Sequence, residues 1–310
     1  MNYTPVRIST LKPDKTLPFA VYIYFKERHL LYVKPGAQID ETRYKKLRKQ
    51  KITKFFITGD QESAYQKYLD QLLDETLSDS GIEISAKVDM IQDASFTALE
   101  KLQEDSKSEV AYQMTKTAAK GVAKIVLENE DALQALYEKK SEVGETVVNH
   151  CMNVCAISVK LAQLMKCSEK EIETLSVAAL IHDIGLTQES LELFEKNSVY
   201  HTSEEKIAYA KHTKDGLAAL KERDWVSNEI MELVEFHEEN LTGEGPHKKT
   251  KLSKLEEILS LVNAYDKKIL TTAKAPLQAI KDFKIDELGK YDLKVIQNLE
   301  KVIKIGFTYD

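Results

Sequence analysis

The chain has 310 residues, 43% hydrophobic and 30% charged, with a formal net charge of −6. That length supports two domains with buried cores. The acidic balance gives no electrostatic case for binding a nucleic-acid polymer, and no segment approaches the roughly 18 apolar residues of a membrane span, so membrane insertion is not expected. The first residues lack the apolar core of a signal peptide, and the expected location is cytoplasmic. Cys151, Cys155 and Cys167 are too few for a disulfide framework, and Cys151 and Cys155, one helical turn apart, read as reduced core thiols.

In chain order, residues 1–80 read as a small α/β module of unknown function. Segments 19–25 and 29–34 are rich in β-branched and aromatic residues. Only Lys26-Glu27-Arg28 separates them, which predicts a hairpin, and Pro35-Gly36 ends its second strand. A charged helix is expected over 41–50 and a third strand over 52–58, stopped by Gly59-Asp60. The next helix places Tyr65, Tyr68, Leu69, Leu72 and Leu73 on one face. A boundary is expected at 78–81. Beyond residue 84 the periodicity predicts helices over 85–103, 107–140, 145–166, 169–183, 203–221, 226–239, 251–272 and 292–305. Pro246 and Pro276 fall at expected breaks. The fold class is therefore mainly α: an all-helical bundle over 141–310, linker or coupling helices over 81–140, and the N-terminal α/β domain. Val110, Met114, Ala118, Val122, Ile125 and Leu136 make 107–140 a candidate coupling helix and a candidate homodimer contact.

The chemistry concentrates in the bundle. His182-Asp183 follows the apolar run 177–181, and an acid and an imidazole avoid such surroundings unless paired or bound to metal. His150, His212, His237, Glu238, Asn263 and Asp266 follow in order along the helices as further candidate ligands. Asn263 and Asp266 share a helical face. Four of the seven histidines fall in this set. His29, His201 and His247 fall outside it, and His29 is expected at the surface. Mixed imidazole and carboxylate donors suit Fe, Mn or Zn. A carboxylate that bridges two divalent metals suits phosphate-ester hydrolysis without a protein nucleophile. The Gly-rich loop after His237 is the expected wall of the site, with Gly243 and Gly245 letting its backbone approach ligand or metal. Lys249, in a run with Lys248, Lys251 and Lys254, and Lys274 are candidate phosphate contacts. Trp225 and Tyr265 are expected in packing rather than in base stacking.

The segments around His150, 176–185, 203–216, 234–246 and 256–268 together resemble the HD superfamily of metal-dependent phosphohydrolases. More narrowly they resemble its HD-GYP branch, whose activity is hydrolysis of cyclic di-GMP. The resemblance covers about 140–275. It implies a two-metal phosphodiesterase, iron first and Mn or Zn next, with a cyclic dinucleotide as its ligand. His150, His182, Asp183, His212, His237 and Glu238 would be ligands, Asp183 would bridge and hold the attacking hydroxide, and Asn263 or Asp266 would complete the shell. The chain also departs from the family pattern. Glu238 stands where the family has a second histidine, the signature tyrosine is missing around Thr242–Pro246, Leu186 replaces a phosphate-binding lysine, and Asn263 replaces a metal aspartate. Thr146 sits where some members carry a third-metal glutamate, with Glu145 one position out of phase, so two metals are expected. These departures support an alternative: a catalytically weak, metal-containing cyclic-dinucleotide sensor, or a module for a signalling protein partner. A third reading is a scaffold without metal.

Overall fold

A computed structural model of the protein describes residues 2–13, 15–50, 52, 54–138, 146–196, 198–214 and 217–307. The chain divides into two compact units, Met1–Gly121 and Val122–Asp310.

The first unit contains β1 (Tyr3–Arg7), β2 (Val21–Phe25), β3 (Arg28–Val33), α1 (Glu41–Lys49), β4 (Lys54–Thr58), α2 (Glu62–Ser78), α3 (Ile84–Glu104) and the start of α4 (Glu109–Glu128). The strands form an antiparallel sheet in the order β1-β4-β2-β3. The expected hairpin is present, but its turn is only Lys26 and Glu27, both at positive φ, as a primed two-residue turn requires. Strand β1 was hidden in the sequence by Pro5, and its place at the sheet edge is where a strand tolerates proline. Val6, Val21, Val33, Phe55 and Ile57 are buried, and α3 packs against β1. His29 is not a plain surface residue. It is half-buried, stacked on Tyr3 at 3.7 Å between ring centroids.

No unit boundary falls at 78–81. Helices α2 and α3 pack together within the first unit. The division lies inside α4, so 81–121 belongs with the sheet rather than to a linker. The helix expected over 107–140 is two helices, α4 and α5 (Ala132–Glu138), with a break at 129–131. Met114, Ala118, Val122, Ile125 and Leu136 are buried, and Val110 is half-buried.

The second unit continues with α6 (Thr146–Leu164), α7 (Glu169–Ile181), α8 (Gln188–Phe194), α9 (Ser203–Ala210), α10 (Ala218–Lys221), α11 (Asn228–Glu235), α12 (Lys254–Thr272), α13 (Pro276–Asp286) and α14 (Leu293–Gly306). The helix read over 203–221 is interrupted: α9 ends in a tight turn at Lys211–Thr213, before α10. Pro276 does mark a break, but it also opens α13, because proline at the first helical position loses no hydrogen bond. At the centre α6 packs against α7 and α12, and α11 packs against α7. Val154, Ile157, Leu161, Leu175, Leu180, Ile258, Leu259 and Val262 are fully or almost fully buried there. Helices α7 and α12 both start with a capping box, Ser168 with Glu171 and Ser253 with Glu256. Cys151 and Cys155 are buried free thiols, and Cys167 is half-exposed. Tyr265 is core, its ring edge-on to Phe283 and its hydroxyl donating to the Pro276 carbonyl at 2.8 Å. Among the described residues no helix is long and apolar enough to cross a membrane.

Candidate metal centre

Three of the four candidate ligand histidines stand just past the end of a helix. The last carbonyls of a helix have no intrahelical partner, and each of these imidazoles uses one. The Nδ1–H of His182 donates to Ala179 at 2.7 Å, that of His212 to Tyr209 at 2.5 Å and that of His237 to Val234 at 2.6 Å. In each case the acceptor lies three residues back. This contact fixes the tautomer and leaves the Nε2 lone pair facing inward. His150 lies within α6, where backbone carbonyls are already engaged. Its Nδ1 donates instead to Asp266 Oδ2 of α12, at 2.7 Å.

The four Nε2 atoms meet in pairs, His150 with His182 at 3.1 Å and His212 with His237 at 3.1 Å. Asp183 lies between the pairs. Its Oδ2 is 3.6 Å from His150 and 3.3 Å from His182, and its Oδ1 is 3.5 Å from both His212 and His237. Asp183 is buried, yet neither oxygen has a hydrogen-bond partner. Two such oxygens are costly in a protein interior unless a cation takes them up. Paired lone-pair nitrogens at contact distance likewise fit a cation between them. Among the described residues the donor atoms form two clusters, His150–His182–Asp183 and Asp183–His212–His237, and the atoms of each lie within 4.8 Å of one another. Asp183 belongs to both.

Asn263 and Asp266 take different places. Asn263 Oδ1 faces His150 Nε2 at 3.0 Å, while its Nδ2 donates to the His237 carbonyl and to Glu238 Oε1 at 3.3 and 3.2 Å. These contacts set the amide so that its oxygen joins the first cluster. Asp266 sits behind the ring, with one oxygen taken by His150 and the other by the Tyr137 hydroxyl. It thus meets His150 on the Nδ1 side, where Asn263 meets the Nε2 side, a difference the shared helical face alone could not show. Glu145 lies outside the described residues.

Glu238 Oε1 is 3.6 Å from His237 Nε2 and 3.9 Å from His212 Nε2. It is also gripped by Lys267, whose ammonium donates to the same oxygen and to the Tyr209 hydroxyl. Lys267 Nζ lies 4.8 Å from the Tyr209 ring centroid and 5.4 Å from that of Phe194. The sequence reading missed Lys267, Tyr209, Phe194 and Tyr137. Lys267 could have been found, because it is one turn beyond Asn263 on the same face of α12.

Burial would raise the Glu238 carboxyl, but Lys267 and then His237 overcome it and bring its pKa down to about 2. Burial would also lift Asp183, yet His182 and Lys267 hold it well below the usual carboxylate range. Burial, reinforced by His237, pushes His212 down to about 4, and burial lowers His237 as well.

The expected phosphate lysines are committed elsewhere. Lys249 pairs with Glu256 at 2.6 Å and lies 3.9 Å over the Phe236 ring, and Lys274 pairs with Asp282 at 2.6 Å. The loop glycines approach protein rather than an open ligand space. A Cβ on Gly243, which has φ +76°, would meet Thr250 at 2.9 Å. One on Gly245 would meet the Glu239 carboxylate at 2.5 Å and the Glu238 carbonyl at 2.7 Å. Glu239, fully buried and not singled out by the sequence reading, accepts the backbone N–H groups of His247 and Lys249 at 2.6 and 2.7 Å and ties the loop down. His201 and His247 lie outside the centre, His201 against the Leu193 and Lys196 carbonyls and His247 against Thr213.

A helical bundle that converges four imidazoles on one unpartnered carboxylate has the fold and donor set of a metal-dependent phosphohydrolase of the HD type. The chain belongs to the HD-domain family, whose model matches residues 105–295. Its structure is similar to that of Bd1817, an HDG"Y"P protein from Bdellovibrio bacteriovorus, at 26% identity and a TM-score of 0.73, over 98% of this chain and 100% of that one. Family and neighbour together support a member of HD-GYP type. No curated protein matches the chain.

Proposed function

We propose that the protein is a phosphodiesterase that hydrolyses a cyclic dinucleotide, cyclic di-GMP first, at a centre of two divalent metals. One observation carries the metal reading: both oxygens of buried Asp183 lack hydrogen bonds, and each faces a different pair of imidazoles. His150, His182 and Asn263 would hold one cation and His212 and His237 the other, with Asp183 shared. The mixed N/O donor set favours Fe, Mn or Zn over Mg or Ca. Bound metal would supply a nucleophile from water at neutral pH and stabilise charge on the phosphoryl oxygens. The protein's own part is to present Nε2 lone pairs. Asp266 and three helix-end carbonyls do this by holding every Nδ1–H. Glu239 keeps the loop beside His237 closed.

Protein purified without oxygen and loaded with Fe(II) or Mn(II) tests this reading. Conversion of cyclic di-GMP to its linear dinucleotide, lost in Asp183→Ala, is the expected result. Metal binding without conversion of any cyclic dinucleotide would favour the sensor reading. That alternative gains support from Lys249 and Lys274, whose ion pairs leave neither as a free phosphate cation. A chain that binds no metal would refute both.

A further inference from the structure

Resting on that metal-centre reading, we propose that Lys267 is a built-in cation that competes with the second divalent metal. The two halves of the centre are then unequal: one metal is held tightly by His150, His182, Asp183 and Asn263, and a second binds weakly, by displacing the contact between Lys267 and Glu238.

The donor atoms of the first half are free for a cation. His150 and His182 present Nε2, and Asp183 Oδ2 accepts no hydrogen bond. Asn263 Oδ1 is turned toward His150 because the amide nitrogen is committed to two oxygens on its other side. The second half has two imidazoles and Asp183 Oδ1. Among the described residues the further acidic group that pairs with both rings is Glu238, through Oε1. That same atom accepts from Lys267 and from Asn263 Nδ2. A carboxylate oxygen with two hydrogen bonds has used the lone pairs a metal would need.

The lysine does not depend on Glu238 alone. The Tyr209 hydroxyl accepts from its ammonium, and the rings of Tyr209 and Phe194 lie beside it as a cation–π seat. Charge balance points the same way. Asp183, Glu238 and Asp266 behind His150 contribute three negative charges and Lys267 one positive, a net of two negative that matches one divalent ion rather than two. A fixed ammonium beside the second position repels the ion arriving there.

The test is Mn(II) titration of metal-stripped, full-length protein, followed by calorimetry and by elemental analysis after dialysis. Wild type, Lys267→Met, Lys267→Gln and Lys267→Arg are compared, with circular dichroism confirming the fold of each. Wild type should retain one Mn(II) per chain, with the second bound at least about tenfold more weakly, the lower end of what a neighbouring group does to metal affinity. The methionine and glutamine variants should tighten the second event by about tenfold or more and give the paramagnetic signature of a coupled Mn pair at two equivalents. The arginine variant, which keeps the charge, should behave like wild type. Two equally tight sites in wild type would overturn the proposal, and so would a second site indifferent to loss of the lysine; the metal-centre reading survives either result. Failure of every folded form to bind Mn(II) would remove that reading as well.

Discussion

His150 on α6 and Asp266 on α12 are joined by a hydrogen bond of 2.7 Å across 116 positions of sequence. The other three imidazoles of the centre are aimed by backbone carbonyls three residues back, a local device that any helix end provides. His150 has no such carbonyl, so its aim depends on the packing of one helix against another. Tyr137 completes the arrangement by donating to the second oxygen of Asp266.

Replacing Asp266 should therefore act through His150. Asp266→Ala should weaken metal binding about 10–100-fold, the usual cost of removing the partner of a ligating histidine. Asp266→Asn, which keeps an acceptor but not the charge, should fall between, and Tyr137→Phe should cost least. Competition with a fluorescent chelator measures the series. Equal loss in all three variants would mean general disruption and not the loss of one aimed ring.

Asp183 faces both imidazole pairs, and its removal should abolish coupling between metal and stability. Metal at a hundredfold excess over its Kd should stabilise wild-type protein by about 2.7 kcal/mol at each independent site. A chelator should reverse the gain. Asp183→Ala should show no shift with either addition. Thermal melts with and without Mn(II) check this, and a metal-dependent shift that persists in the variant would remove Asp183 from the centre.

Most of this centre was legible in the sequence, and what was not has identifiable causes. His150, His182, Asp183, His212 and His237 stood out because polar groups next to apolar runs need a reason to be there. Asn263 and Asp266 could not be told apart, since residues three apart share a helix face and only tertiary contact shows which side of His150 each meets. Lys249 and Lys274 were read as free cations because their partners, Glu256 and Asp282, are chosen by folding and not by spacing. The helix expected up to residue 239 stops at Glu235, which is what places His237 opposite a free carbonyl. In the first unit, β1 was obscured by Pro5, while the hairpin was plain from its alternating aromatic residues.

Gly245 should tolerate no side chain. A Cβ there would press on the buried Glu239 carboxylate and on the Glu238 backbone at once, and the backbone cannot step aside. Gly245→Ala should cost about 1–3 kcal/mol, the range for forcing extra volume into a packed site. It should also loosen the loop held by the His247 and Lys249 N–H groups. Urea unfolding gives the first quantity, and amide exchange at His247 and Lys249 gives the second. Wild-type stability with unchanged exchange would show that the loop yields freely.

The helix that ends at His182 begins with a capping box, and its pH dependence has a definite sign. Glu171 accepts from the Ser168 backbone N–H and hydroxyl, and these bonds hold its pKa below the ordinary 4.5. With the folded value depressed, the unfolded chain binds more protons between the two values, so the carboxylate's contribution is complete above pH 4.5 and fades as pH falls through the folded value. Glu171→Gln should lower the melting temperature slightly at pH 7, since the group is exposed and screened. The two proteins should converge as the wild-type residue becomes neutral in acid. Melting curves from pH 7 to pH 3 test this, and a difference that grows on acidification would show that the bond to Ser168 is not what depresses the glutamate.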